Sequence, residues 1–207
     1  MTETVRPFRI SIIGTAGRKQ DGQRLNKALF LKMIQTANDI IPQYCPQDRT
    51  VELVSGGAAW ADHVAVCLYL RGRPLVPRPY DLMLHFPAEY LGNECKFEEF
   101  PGSKTSPGNV ANYYHSLFSR KLGRKSLFDI RSALFFGAKC TVSPGGFFER
   151  NLLVGDCDVL LAFTFSTGNE PQHGTGTHHT WKHSKATTMI HISLQHLEGS
   201  NTKEGVA

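Results

Sequence analysis

Apolar positions in this chain switch between two periods, and each switch marks the edge of an element. The run "FRISIIG" (8–14) is a β-branched apolar run that reads as a buried strand. It ends in the glycine loop "GTAG" (14–17). From residue 24 to about 41, Leu25, Leu29, Met33, Ala37 and Ile40 then fall near one helical face, and Pro42 and Pro46 stop that helix. The cycle repeats with "VELV" (51–54), the turn "SGG" (55–57) and a helix through "AAWADHVAVCLYLRG" (58–72). "RPLVPRPY" (73–80) reads as a third short strand, confined by its prolines to peripheral pairing. Strand, helix, strand is a βαβ unit, whose crossover makes its strands parallel.

Residues 81–124 lose the regular period, apart from a helix over about 108–122. Such an irregular insertion is either a lid or disordered, and its mixture of aromatics, prolines and glycines favours a lid packed over a site. Order returns with a helix near 125–137, the strand "AKCTV" (138–142), the turn "SPGG" (143–146) and a helix through "FFERNLLVGD" (147–156). The strand "DVLLAFTF" (158–165), the loop "STGNEPQHGTG" (166–176), the helix "THHTWKHS" (177–184) and the strand "TTMIHISL" (187–194) complete the pattern. The sequence therefore predicts an α/β domain over 1–197 with helices on both faces of a mostly parallel sheet, and a flexible tail over 198–207.

Composition narrows the partners. The 207 residues are 41% hydrophobic and 20% charged, enough for one sizeable core and no collagen-like or disordered class. A net charge of +5 favours an anionic partner, but the cations are scattered, which suits a nucleotide or phosphate. Single-stranded DNA binding, which the basic balance also suggests, is the less favoured reading, and nucleic acid is disfavoured as a partner, because no basic stripe interleaved with aromatics appears. The five cysteines (45, 67, 95, 140, 157) form no C-x-x-C and no His-paired ligand spacing, and point to reduced thiols in the cytoplasm. No apolar run is long enough to span a bilayer. The sequence assigns no metal and no cofactor, and leaves a homo-oligomer open.

In parallel α/β sheets, ligands sit beyond the carboxyl ends of the strands, where helix N-termini direct N–H groups outward. Three glycine turns fall at such junctions: Gly14, Thr15 and Gly17; Ser55, Gly56 and Gly57; and Gly174, Thr175, Gly176 and Thr177. Together they describe one anion-binding floor, and Arg18, just past the first turn, can meet phosphate bidentately. The first turn matches neither a dinucleotide fingerprint nor a P-loop.

"LVSGGAAWADHVAV" (53–66) resembles the S-G-G-A-x-x-A/G-D motif of the SLOG superfamily, a Rossmann-like group that includes Lonely Guy phosphoribohydrolases, DNA-processing protein A and small YspA-type proteins. "ERNLLVGDCDVLLAF" (149–163) is similar to that group's R-N run, and "GTGTHHTWKHSKATTMIHI" (174–192) stands in the place of its G-G-T-x-x-T helix and final strand. The resemblance implies a Rossmann-like three-layer sandwich that binds a nucleotide or its derivative. Gly56 and Gly57 would face phosphate, Asp62 would anchor the turn or meet a ribose hydroxyl, and Gly174 to Thr177 would form a second cradle. Arg150 and Asn151 match the family's polar pair. The chain departs from the Lonely Guy pattern P-G-G-x-G-T-x-x-E: three residues after Thr177 stands Thr180, not glutamate.

Two functions follow as expectations, a nucleotide-binding module and a hydrolase of the N-glycosidic bond. For the second, Asp62 and Glu149 are the acid/base candidates, against a helix-terminal role for Asp62 and a solvated face for Glu149. His173, His178, His179 and His183 invite a metal, but no acidic or cysteine ligand lies at a supporting spacing, so phosphate contact by His178 or His179 is the functional reading, against plain surface histidines as the default. Trp60 and Trp181 could stack on a base or pack against the sheet.

Overall fold

The first strand forms as β1 (Phe8–Gly14), and the alternation of its side chains sets the character of the two layers flanking the sheet. In the computed structural model, which describes residues 6–71 and 80–199, a short α1 (Asp21–Arg24) and α2 (Lys27–Ile40) follow. Then come a 3-10 turn (Ile41–Gln43), β2 (Val51–Ser55), α3 (His63–Leu70) and β3 (Asp81–Phe86). A small hairpin of β4 (Tyr90–Leu91) and β5 (Lys96–Phe97) leads to α4 (Pro107–Leu122), α5 (Ser126–Phe135) and β6 (Lys139–Val142). The chain closes with α6 (Gly146–Val154), β7 (Val159–Thr164), α7 (Gly176–Lys182), β8 (Thr188–Ser193) and α8 (Leu194–Gly199).

Six strands pair in parallel in the order β6-β3-β2-β1-β7-β8, with helices on both faces, so the fold is an α/β, Rossmann-like three-layer sandwich. The chain walks outward from β1 to β6 and then jumps back to β7 beside β1. Parallel crossovers keep one hand, so reversing the walk puts the later helices on the opposite face.

Ile10 and Ile12 point into the larger core with Leu29, Phe30 and Met33 of α2, Phe118 of α4 and Ile130 of α5. Within it Phe118 lies 4.5 Å from Trp60 and 5.0 Å from Phe30, ring centre to ring centre. Such aromatic pairs contribute about 0.5–1.5 kcal/mol each beyond their area burial. Arg9, Ser11 and Ile13 face the other way. There the apolar cluster is small, Ile13, Val154, Cys157, Leu160 and Ala162, and much of the remaining surface is polar. The register sets Arg9 opposite Glu52. Arg9 pairs with Glu52 at 3.1 Å and Asp156 at 3.2 Å, and its Nη2 lies 3.5 Å from His85 Nε2.

Several boundaries differ from the sequence reading. The strand expected over 73–80 lies outside the described residues except for Tyr80, and the sheet strand is Asp81–Phe86, inside the segment read as an insertion. The insertion therefore begins after Phe86. Its helix α4 buries His115 and Phe118 completely, which makes it a fixed wall of the core. Glu198, assigned to a flexible tail, belongs to α8 and pairs with Arg24. Among the described residues, no helix is long and apolar enough to cross a membrane.

Candidate functional site

The loops after β1 and β7 lie at the point where the strand order reverses, the usual ligand crevice of such sheets. Gly14 ends β1, and a Cβ there would meet the Phe163 carbonyl oxygen at 2.0 Å and the Ala61 Cβ at 2.6 Å. Only glycine lets the first two turns and β7 approach this closely. Thr15 extends the contact, its N–H donating to Phe163 O at 2.9 Å and its hydroxyl donating to Asp21 Oδ2 at 2.6 Å. The Gly17 N–H donates in turn to Thr15 Oγ1 at 3.1 Å.

Asp62 closes the knot. Its carboxylate is buried, lies close to the backbone of Ala58, Gly56 and Gly14, whose N–H groups favour its charged form, and faces Arg150 Nη1 at 3.3 Å. Burial raises its pKa; Arg150 and the three N–H groups oppose that rise. Gly56 makes the ion pair possible, because a Cβ there would stand 1.9 Å from Arg150 Nη1 and 2.8 Å from Asp62 Oδ2. Gly57 serves packing: at φ +64° its Cβ would strike the Phe86 ring at 2.6 Å. Its N–H donates to Ser55 Oγ at 3.1 Å, and its carbonyl accepts from His115 Nε2 at 2.9 Å. The buried Ser55 hydroxyl donates to Asp62 O at 2.8 Å.

Many N–H groups expected to face phosphate are thus engaged within the protein. What stays open is cationic. Arg150 is largely buried, and its buried Nε has no hydrogen-bond partner among the described residues. Burial lowers its pKa, Asp62 raises it and nearby Arg18 lowers it. Arg18 is exposed and forms no salt bridge among the described residues. The two guanidiniums flank Phe147, each with its carbon 5.7 Å from the ring centre, and Arg18 also lies 5.5 Å from the Tyr114 ring. Between them is a cavity of about 40 Å³ walled by Ala16, Gly56 to Ala59, Pro87, Val110, Ala111, Tyr114 and Phe147. That volume accepts a few waters or one phosphate-sized group.

The third turn is docked onto the first. Thr177 Oγ1 donates to Gly14 O at 2.8 Å, and the buried Asn151 donates through Nδ2 to Gly176 O at 3.3 Å. Gly174 has φ +74° and open space around it, and Thr175 caps α7 by accepting the His178 N–H. Arg150 and Asn151, adjacent on α6, thereby tie this helix to the second and third turns. Glu149 lies apart: its carboxylate accepts the Gly145 N–H at 2.7 Å and caps its own helix.

Trp60 is a core residue, and Trp181 packs against the smaller apolar cluster. Phe147, Tyr114 and His115 were missed in the sequence, the first just after the "SPGG" turn and the others within the insertion. The histidine cluster gains the acidic neighbour it lacked by spacing: Glu170 Oε1 lies 3.0 Å from His173 Nε2, with His178 close by.

No protein-family model matches the chain. It is 34% identical over 191 residues to "Uncharacterized protein R261" of Acanthamoeba polyphaga mimivirus, covering 90% of this chain and 96% of the viral one.

Proposed function

The chain belongs to the family of mimivirus protein R261, and we propose, from the cleft itself, that it binds a nucleotide or nucleotide derivative in the manner of SLOG proteins. The observation that carries this reading is Arg150, a largely buried guanidinium whose Nε has no partner among the described residues, beside a second guanidinium, Arg18, that forms no salt bridge among them. Buried donors are almost always satisfied, and a cation pair without a carboxylate for Arg18 is relieved by an anion. In this reading the glycines shape the floor, the guanidiniums hold a phosphate, and the rest of the nucleotide runs outward past Arg18 against Tyr114 and Phe147.

Binding is favoured over N-glycosidic hydrolysis. Among the described residues no carboxylate lines the cavity, Asp62 is buried against Arg150, and Glu149 caps its own helix. The test is a panel of nucleoside mono- and diphosphates and ADP-ribose, read by calorimetry and by chromatography for released base. Arg18→Ala, at an exposed position, should weaken binding about tenfold or more while leaving thermal stability unchanged, since a charge-assisted hydrogen bond contributes about 1.5–3 kcal/mol. Binding that is unaffected by this change would place the ligand elsewhere. Base release that persists in Asp62→Asn and Glu149→Gln would restore an enzyme with other catalytic groups.

A further inference from the structure

The loop from β7 to α7 carries a second constellation, independent of the Arg18–Arg150 cleft. We propose that Glu170, His173 and His178 form a binding site for a divalent transition-metal ion of the zinc class. One ligand atom from each, two imidazole nitrogens and a carboxylate oxygen, lie within 4.8 Å of one another. A tetrahedral zinc ion with bonds of about 2.0–2.1 Å holds its ligand atoms roughly 3.4 Å apart. Glu170 Oε1 and His173 Nε2 are already 3.0 Å apart, joined by a hydrogen bond whose proton the metal would replace. The His173 and His178 rings are 4.2 Å apart, centre to centre, so small side-chain rotations complete the set.

The loop that presents them is held in place. Pro171 is buried, Gln195 donates to Phe165 O at 2.8 Å, and His191 Nδ1 lies 2.9 Å from Gly168 O. Thr175 Oγ1 donates to Gln172 O at 2.8 Å and accepts the His178 N–H at 3.1 Å, which fixes the chain between His173 and His178. A preorganised loop lowers the ordering cost of binding. Two imidazoles and one carboxylate favour zinc-class ions over magnesium or calcium, and three protein ligands leave a coordination position for water or a phosphate oxygen. His173 and Glu170 are 79% and 47% exposed, so the ion enters directly from solvent.

The experiment is a Co²⁺ titration of the full, tag-free chain, followed by visible ligand-field absorption and by displacement with Zn²⁺. One equivalent should bind, and His173→Ala, His178→Ala and Glu170→Gln should each weaken it about tenfold or more, as even outer residues of metal sites do. His183→Ala, on α7 but outside the cluster, should bind as the parent does. Circular dichroism confirms that each variant is folded. The proposal fails if the parent shows no saturable Co²⁺ or Zn²⁺ binding, or if a folded His173→Ala/His178→Ala double variant binds with parental affinity.

Discussion

Acidifying the protein from pH 7 to pH 5 should remove a large part of its stability through two histidines held neutral inside the fold. His115 is fully buried on α4, with Nε2 against Gly57 O at 2.9 Å and Nδ1 against Ser126 Oγ at 3.0 Å. The carbonyl can only accept, so Nε2 carries the proton and Nδ1 accepts from the serine. Burial, with His63 nearby, lowers its pKa to about 3, against a hydrogen bond to Gly57 that raises it. His85 is lowered to about 4 by burial and by Arg9 and Arg150. An unfolded histidine titrates near 6.5, so between about pH 6.5 and 4 the unfolded chain binds more protons than the native one. Stability is then lost as pH falls. By linkage each residue should contribute a loss of about 2 kcal/mol between pH 7 and 5. Urea denaturation at pH 7, 6 and 5 measures this directly. In His115→Gln, whose amide can still donate to Gly57 O, the loss between pH 7 and 5 should shrink by about 2 kcal/mol relative to the parent. If the variant loses as much stability as the parent, His115 is not the proton acceptor and the reasoning is wrong.

Arg150→Met should destabilise the protein by about 3–5 kcal/mol at pH 7, because it leaves the Asp62 carboxylate buried without its counter-charge. Burial already raises the Asp62 pKa, so the deficit should narrow as the solution is acidified and the carboxyl takes a proton; a deficit independent of pH would refute this account. Gly56→Ala should cost a comparable amount in chemical denaturation and reduce nucleotide binding, since its Cβ would occupy the position of Arg150 Nη1. A variant of parental stability would show that Arg150 can pair with Asp62 by another route.

How much of this was legible depends on whether the cause was local. Strand β7 was readable because residues covered on both faces leave an unbroken apolar run, and β1 and β2 because their apolar runs end at glycine turns. β3 was missed although "DLMLHF" alternates: Leu82, Leu84 and Phe86 face the core, while Asp81 and His85 resemble loop residues. His85 is tolerated under α6 because Thr141 and Arg9 reach it from other strands, contacts that no local pattern announces. Glu198 pairs with a residue 174 positions earlier, so its helix looked like a tail. The glycine turns were visible, but not their division of labour. Gly56 makes room for a guanidinium, and Gly57 makes room for Phe86. Glu170 and His178 are eight residues apart, and only the fold of the loop brings them together.

The Asp62–Arg150 pair is an expensive way to hold α6 against the turn between β2 and α3. Taking both ions out of water costs several kcal/mol each, and well-packed apolar residues in place of such a pair are often neutral or stabilising. Yet three backbone N–H groups, a residue without a side chain at position 56 and an entire helix terminus are arranged around it. Stability alone does not account for that arrangement. Nor does it account for Arg18, which adds like charge close enough to lower the Arg150 pKa and brings no carboxylate of its own. Both features make sense together if the cleft is built for a guest that carries the missing negative charge. In that case Asp62 fixes the direction of Arg150, its remaining donors face the cavity, and the anion completes a charge balance that the folded chain leaves open.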